Sequence, residues 1–149
     1  MSRFGNRPNP TGTGTQFHGG IDTIFGNVTI ANATVYAMAD GIVETIVDGF
    51  PASPNDRDWL NIHYPARSLR TLGNFITIRH SDGYATRYAH LVQGSFLVEE
   101  NQEVSRGQPI ALVGNSGRSM GYHLHFDVFE TRLGRRERVD PLRYFNDIS

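Results

Sequence analysis

Apolar and polar positions alternate with a period of two over much of this chain, while the helical period of 3.6 is weak throughout. The alternation predicts strands over residues 34–39, 41–48, 74–80, 84–90, 109–114 and 122–130. Turn signals separate most of them, at Ala39-Asp40-Gly41, Ser81-Asp82-Gly83 and Asn115-Ser116-Gly117. Short strands joined by close turns predict antiparallel pairing, and so a mainly β domain with a sandwich-like or folded-over antiparallel sheet. One helical turn is expected at 141–145, where Asp140 precedes a proline suited to a first helical position. The opening MSRFGNRPNPTGTGTQ, rich in Gly, Pro, Asn and Thr, predicts irregular chain. Residues 50–72 form a long connection with clustered charges and Trp59, and a length that marks functional or mobile loops. The stretch RLGRRER, 132–138, reads as a solvated hairpin tip, with an anion-contacting patch as the lesser alternative.

The chemistry concentrates in YHLHFDV, residues 122–128. On a strand, His123, His125 and Asp127 share one face, while Leu124, Phe126 and Val128 share the other. Same-face neighbours lie roughly 6.5–7 Å apart, a spacing at which two groups converge on one small ion or one water. A lone buried histidine is ordinarily a satisfied core residue, but two plus an aspartate bring three groups that need partners. A second cluster is FHGGID, where His18 and Asp22 are four apart. Helix would bring them together, but Gly19-Gly20 would cost it about 1 kcal/mol each, so a compact glycine turn with both side chains inward is expected. Together the two clusters supply the mixed nitrogen and oxygen ligands that zinc accepts, and catalytic zinc takes three from the protein. At least one imidazole is left over, to act as general base or to hold a developing oxyanion. His90 is a further candidate, expected to share a strand face with Thr86 and Tyr88, whereas His80 and His63 read as a structural residue and a bland loop position.

Bulk properties narrow the classes. The 149 residues suffice for one domain with a real core, residues 1–149 being read as a single domain. No apolar run approaches membrane-spanning length, and no basic, apolar-cored leader opens the chain. A formal charge of −1 disfavours a basic nucleic-acid binder. Absence of cysteine excludes disulfides, thiolate metal sites and cysteine nucleophiles. All 14 cations are arginine, so there is no Walker-type phosphate loop and no Schiff-base lysine. The same absence excludes a biotinyl or lipoyl carrier, although EENQEVSRGQPIALVG is similar to such a hairpin.

Taken together, SRFGNR, FHGGID, VYAMADGIV, NFITIRHSDGYATRYAHL, GQPIALVGNSG, YHLHFDV and VDPLRYF resemble the lysostaphin-type (LytM-like) zinc endopeptidases over residues 2–145. The resemblance implies their antiparallel β fold with a narrow groove (a duplicated hybrid motif) and hydrolysis of peptide bonds in bacterial peptidoglycan. It implies one zinc ion held by His18, Asp22 and His125, with no further cofactor, and makes His90 and His123 the catalytic imidazoles. Asp127 would orient an imidazole, while His80 and Tyr88 fall at family-like positions without a catalytic role. Residues 50–72 are longer than the family pattern and are expected to form a groove wall. Peptidoglycan is then the expected partner, with no nucleic acid and no membrane. The protein is expected to be a monomer outside the cell or at the wall, and part of a larger protein with a wall-targeting module. A non-catalytic scaffold or wall-binding domain of the same fold is the alternative.

Overall fold

The computed structural model describes residues 32–142 with their side chains, and the backbone of three earlier strands. Those strands are β1 (Gly5–Pro8), β2 (Thr15–His18) and β3 (Ile21–Thr23). β4 (Thr34–Tyr36), β5 (Gly41–Val47), a helix α1 (Arg57–His63), β6 (Asn74–Arg79) and β7 (Tyr84–Leu91) follow. β8 (Glu103–Val104), β9 (Pro109–Leu112), β10 (Leu124–Arg132) and β11 (Arg135–Val139) complete the described elements.

The main sheet runs β11-β10-β7-β6-β5-β8, and every pairing in it is antiparallel, as expected. β7 occupies one edge of β10, so the other edge is divided: β3 pairs with Leu124–Phe126 and β11 with Val128–Arg132. A separate β4–β9 ribbon contributes Val35 and Ala111 to the buried cluster of the main sheet, which includes Val43, Ile76, Ile78, Tyr88, Leu91, Phe126 and Val128. The result is the mainly antiparallel, sandwich-like β domain the alternation predicts. Ile76 and Ile78 are wholly buried, each worth roughly 1.5–3 kcal/mol relative to exposure.

Four expectations are corrected. β1 and β2 pair with each other, Gly5 opposite His18, so part of the first sixteen residues is extended ladder. A two-stranded ladder satisfies backbone donors and acceptors without needing an apolar alternation, which is why composition concealed it. Residues 50–72 are more ordered than a loop, since they contain α1 and a 3-10 turn at Leu69–Leu72. Asp56 caps α1 by accepting the Trp59 N–H at 3.0 Å, but Leu60 is the only residue that the helix buries, too little to register as a period. His63 therefore sits on a helix, exposed and stacked on Trp59 at 4.0 Å. The hairpin tip within 132–138 shrinks to Leu133-Gly134, both with positive φ, and Arg135, Arg136 and Arg138 belong to β11. The two-residue β8 also escaped the pattern. Of the turn expected at 141–145, Leu142 N–H donates to the Asp140 carboxylate at 3.0 Å, and the remainder lies outside the described residues.

His80 is structural, as expected. Its Nδ1–H donates to the Asp40 carbonyl (2.7 Å) and its Nε2 lies 2.7 Å from the Thr86 hydroxyl. That hydroxyl meets the Tyr88 hydroxyl at 2.9 Å, and the latter also accepts the Met38 N–H. Burial pushes the Tyr88 phenol up to about 12, although both hydrogen bonds act to lower it. It therefore stays neutral and pins the β4–β5 turn to the sheet.

Candidate active site

Along β10, Phe126 and Val128 enter the core, and His125 and Asp127 occupy the other face. Register places His125 between Ala89 of β7 and Asp22 of β3. Asp127 stands opposite Arg87 and is wholly buried. Its Oδ2 accepts from Arg87 Nε at 2.9 Å and pairs with Nη2 at 2.7 Å, while Oδ1 lies 3.0 Å from His125 Nε2. Burial alone would raise the Asp127 carboxyl. The His125 charge and hydrogen bond, then Arg87 and Arg138, outweigh burial and hold it well below the usual carboxylate range. An ionised carboxylate can only accept, so His125 presents Nε2–H to Asp127 and any ion on this ring must use Nδ1.

His90 arrives differently. The expected alternation would put it on the core face with Thr86 and Tyr88, and the structure corrects this. Between Tyr88 and Leu91, both core residues, β7 carries Ala89 and His90 where β6 carries only Phe75. This bulge, with His90 at φ 61°, reverses the side-chain parity and turns the imidazole toward His125. Left-handed backbone at a non-glycine residue costs on the order of 1–3 kcal/mol and persists where the surroundings enforce it. Here His90 Nδ1 lies 2.7 Å from the Ser116 carbonyl, with the residue 6% exposed.

His123 lies one residue ahead of β10 rather than within it, so it does not alternate with His125 as a strand residue. It is held instead by the preceding loop: Nδ1 is 2.8 Å from the Gly121 carbonyl and 3.2 Å from the Ser119 hydroxyl. Its ring centroid is 4.7 Å from that of His90, and His125 is 5.9 Å from His90. Carbonyls can only accept, so both His90 and His123 carry hydrogen on Nδ1, and in the neutral rings Nε2 is the basic atom.

Three predicted imidazoles thus gather at one place, together with Asp127. The other two predicted residues are placed by backbone alone. His18 ends β2, and Asp22 is the central residue of β3, directly opposite His125. Their side chains lie outside the described residues, as does the expected inward glycine turn. Among the described residues no group of three or more His, Asp or Glu side chains gathers as a metal centre. The residues nonetheless suit zinc: His125 has its second nitrogen on a buried carboxylate, the usual support of a ligating imidazole, and a carboxylate residue occupies the adjoining register position. Sequence reasoning missed Arg87, Asn115, Ser116, Ser119 and Gly121. Asn115-Ser116-Gly117 was legible only as a turn, and Arg87 only as one charge in an alternating strand.

The model of Peptidase family M23 matches residues 16–141. Over 56 residues the chain is 50% identical to the peptidoglycan DD-endopeptidase ShyA of Vibrio cholerae, covering 38% of the chain and 13% of that protein. Over 81 residues it is 42% identical to the murein hydrolase activator NlpD of Escherichia coli K12, covering 54% of the chain and 20% of that protein. The matches therefore span a small part of these curated relatives. Among solved structures, a zinc-containing peptidase from Vibrio cholerae superposes with a TM-score of 0.59 at 31% identity, over 90% of this chain and 34% of that one. The catalytic domain of lysostaphin from Staphylococcus simulans superposes with a TM-score of 0.67 at 21% identity, over 98% and 90%, which bears on the fold. The resemblance read from the sequence holds: the chain belongs to peptidase family M23.

Proposed function

We propose that this chain is a zinc-dependent endopeptidase that hydrolyses peptide bonds in bacterial peptidoglycan, acting as one catalytic domain. In this reading His18, Asp22 and His125 hold one zinc ion, and His90 and His123 act on the reacting groups. The observation that carries it is the difference in partners: a buried carboxylate on Nε2 of His125, backbone carbonyls on Nδ1 of His90 and His123. Support also comes from ShyA, named as a DD-endopeptidase of peptidoglycan, and from the zinc-containing neighbour.

A bound zinc supplies Lewis acidity, which polarises a scissile carbonyl and eases deprotonation of water. The protein supplies the rest. Asp127, ionised and locked by Arg87, fixes the His125 ring and strengthens its Nδ1 as a donor. One of the paired rings takes the proton of the attacking water on Nε2 and returns it to the leaving amine nitrogen. The other enters the reaction as imidazolium, its second proton taken from solvent, and donates Nε2–H to the developing oxyanion. Ring centroids 4.7 Å apart let both reach one tetrahedral centre.

The relationship to NlpD favours a second reading, a non-catalytic activator that binds a separate hydrolase. Presence of all five site residues weighs against it. The two are separated by incubating the purified chain alone with cross-linked muropeptides and measuring bound zinc. Stoichiometric zinc and new peptide ends by mass spectrometry support the enzyme; zinc-free protein that releases nothing, yet stimulates another hydrolase, supports the activator. Location outside the cell or at the wall, a monomeric state and membership of a longer wall-targeted protein belong to the same proposal.

A further inference from the structure

Asn115 is buried, 4% exposed, in the connection between β9 and β10. Its carboxamide makes all four hydrogen bonds open to it. Nδ2 donates to the Ser53 carbonyl (3.1 Å) and to Asn55 Oδ1 (2.9 Å). Oδ1 accepts from the Gly121 N–H (2.9 Å) and from the Ser119 hydroxyl (2.5 Å). The Ser53 carbonyl can only accept and the Gly121 N–H can only donate, so the amide has a single orientation. On one side it grips residues 50–72. On the other it holds two groups at His123 Nδ1: the Ser119 hydroxyl, and Gly121, whose carbonyl takes the Nδ1–H.

The 50–72 segment is itself fixed against this connection at both ends. Ser53 N–H donates to the Asn115 carbonyl at 2.9 Å, and the Ser53 hydroxyl to the Gly117 carbonyl at 2.6 Å. At the exit, Gly73 packs so tightly that a Cβ would stand 2.5 Å from the Ser116 backbone carbon. The Asn74 side chain hydrogen-bonds Phe50 at the entry, and its N–H donates to the Ser116 hydroxyl.

We propose that Asn115 is a positioning residue whose carboxamide couples the 50–72 segment to the tautomer and orientation of the His123 ring. This rests on the reading that His123 acts on substrate. A neutral imidazole carries its proton on either nitrogen, and the partner of one nitrogen decides which. Asn115 decides here through the Gly121 carbonyl, and 50–72 decides where Asn115 stands. Misplacing a reacting group by about 1 Å costs on the order of a hundredfold in rate.

The test uses the whole zinc-loaded chain, labelled with 15N-histidine, at a pH where the rings are neutral. Asn115→Ala is expected to convert His123 from its Nδ1–H tautomer to a mixture. It should also lower kcat on cross-linked muropeptides about 10- to 100-fold, with KM and bound zinc unchanged. Asn115→Asp keeps the oxygen that serves Ser119 and Gly121 but loses both donors to Ser53 and Asn55. It should hold the Nδ1–H tautomer, with kcat between those of the alanine variant and the wild type because 50–72 is no longer gripped. An unchanged His123 tautomer in a folded alanine variant overturns the proposal, as does loss of the Nδ1–H tautomer in a folded aspartate variant. If the alanine variant does not fold, the aspartate variant decides: Nδ1–H at His123 supports the role, and Nε2–H overturns it. A wild-type chain without turnover would sink the hydrolase reading alone, since the ring spectra would still judge Asn115.

Discussion

His125 and His123 are two residues apart, yet the protein holds them by different means. His125 is part of β10, its outer nitrogen pinned by a buried carboxylate that is pinned in turn by Arg87. His123 precedes the strand and leans on a loop carbonyl, as His90 does after a bulge reverses its direction. A carboxylate adds negative charge, which suits a ring that must stay bound to a cation. A carbonyl fixes the tautomer while adding no charge, which suits a ring that must gain and lose a proton. The difference fits the proposed division of roles on physical grounds, independent of motif.

Removing the carboxylate should have the largest effect on the protein. Asp127→Ala strands the Arg87 guanidinium in the interior and should cost about 3–5 kcal/mol by chemical denaturation. The same change should weaken zinc about 10- to 100-fold by titration with a competing chelator. A destabilisation under 1 kcal/mol would mean that the pair is not the support described.

The sign of its pH dependence follows from the direction of the shift. The folded carboxyl lies below its unfolded value of about 3.9, so its stabilisation is fully present above about pH 4 and fades as pH falls further. Stability measured from pH 6 to pH 2 should therefore decline in the wild type, and less steeply in Asp127→Asn.

Smaller effects belong to the supports further away. Tyr88→Phe leaves the Met38 N–H without its acceptor and should cost about 1–2 kcal/mol, with hydrolysis unaffected. The left-handed backbone at His90 predicts that His90→Gly is more stable than His90→Ala by about 1 kcal/mol, both being inactive. Equal stabilities would deny that the bulge is strained.

The strands carrying most of the site were legible because β6, β7 and β10 have long alternating runs with an apolar face to bury. What escaped obeys other rules. α1 buries Leu60 alone, β11 is an arginine-rich edge, and β1 and β2 are held together by backbone pairing. The bulge was hidden for a deeper reason: period two cannot announce where it slips by one, and that slip sends His90 to the site instead of the core. Asp127 was legible as an orienting group from its family-like position beside His125. Its partner Arg87 was not, since cross-strand register is a property of the fold rather than of either segment.

The most direct test measures bound zinc in His123→Ala and His125→Ala side by side, by mass spectrometry of the intact chains and by elemental analysis. The account predicts about one zinc in His123→Ala without hydrolysis, and neither zinc nor hydrolysis in His125→Ala. Loss of the metal from His123→Ala, with retention in His125→Ala, would contradict it and invert the roles of the two rings.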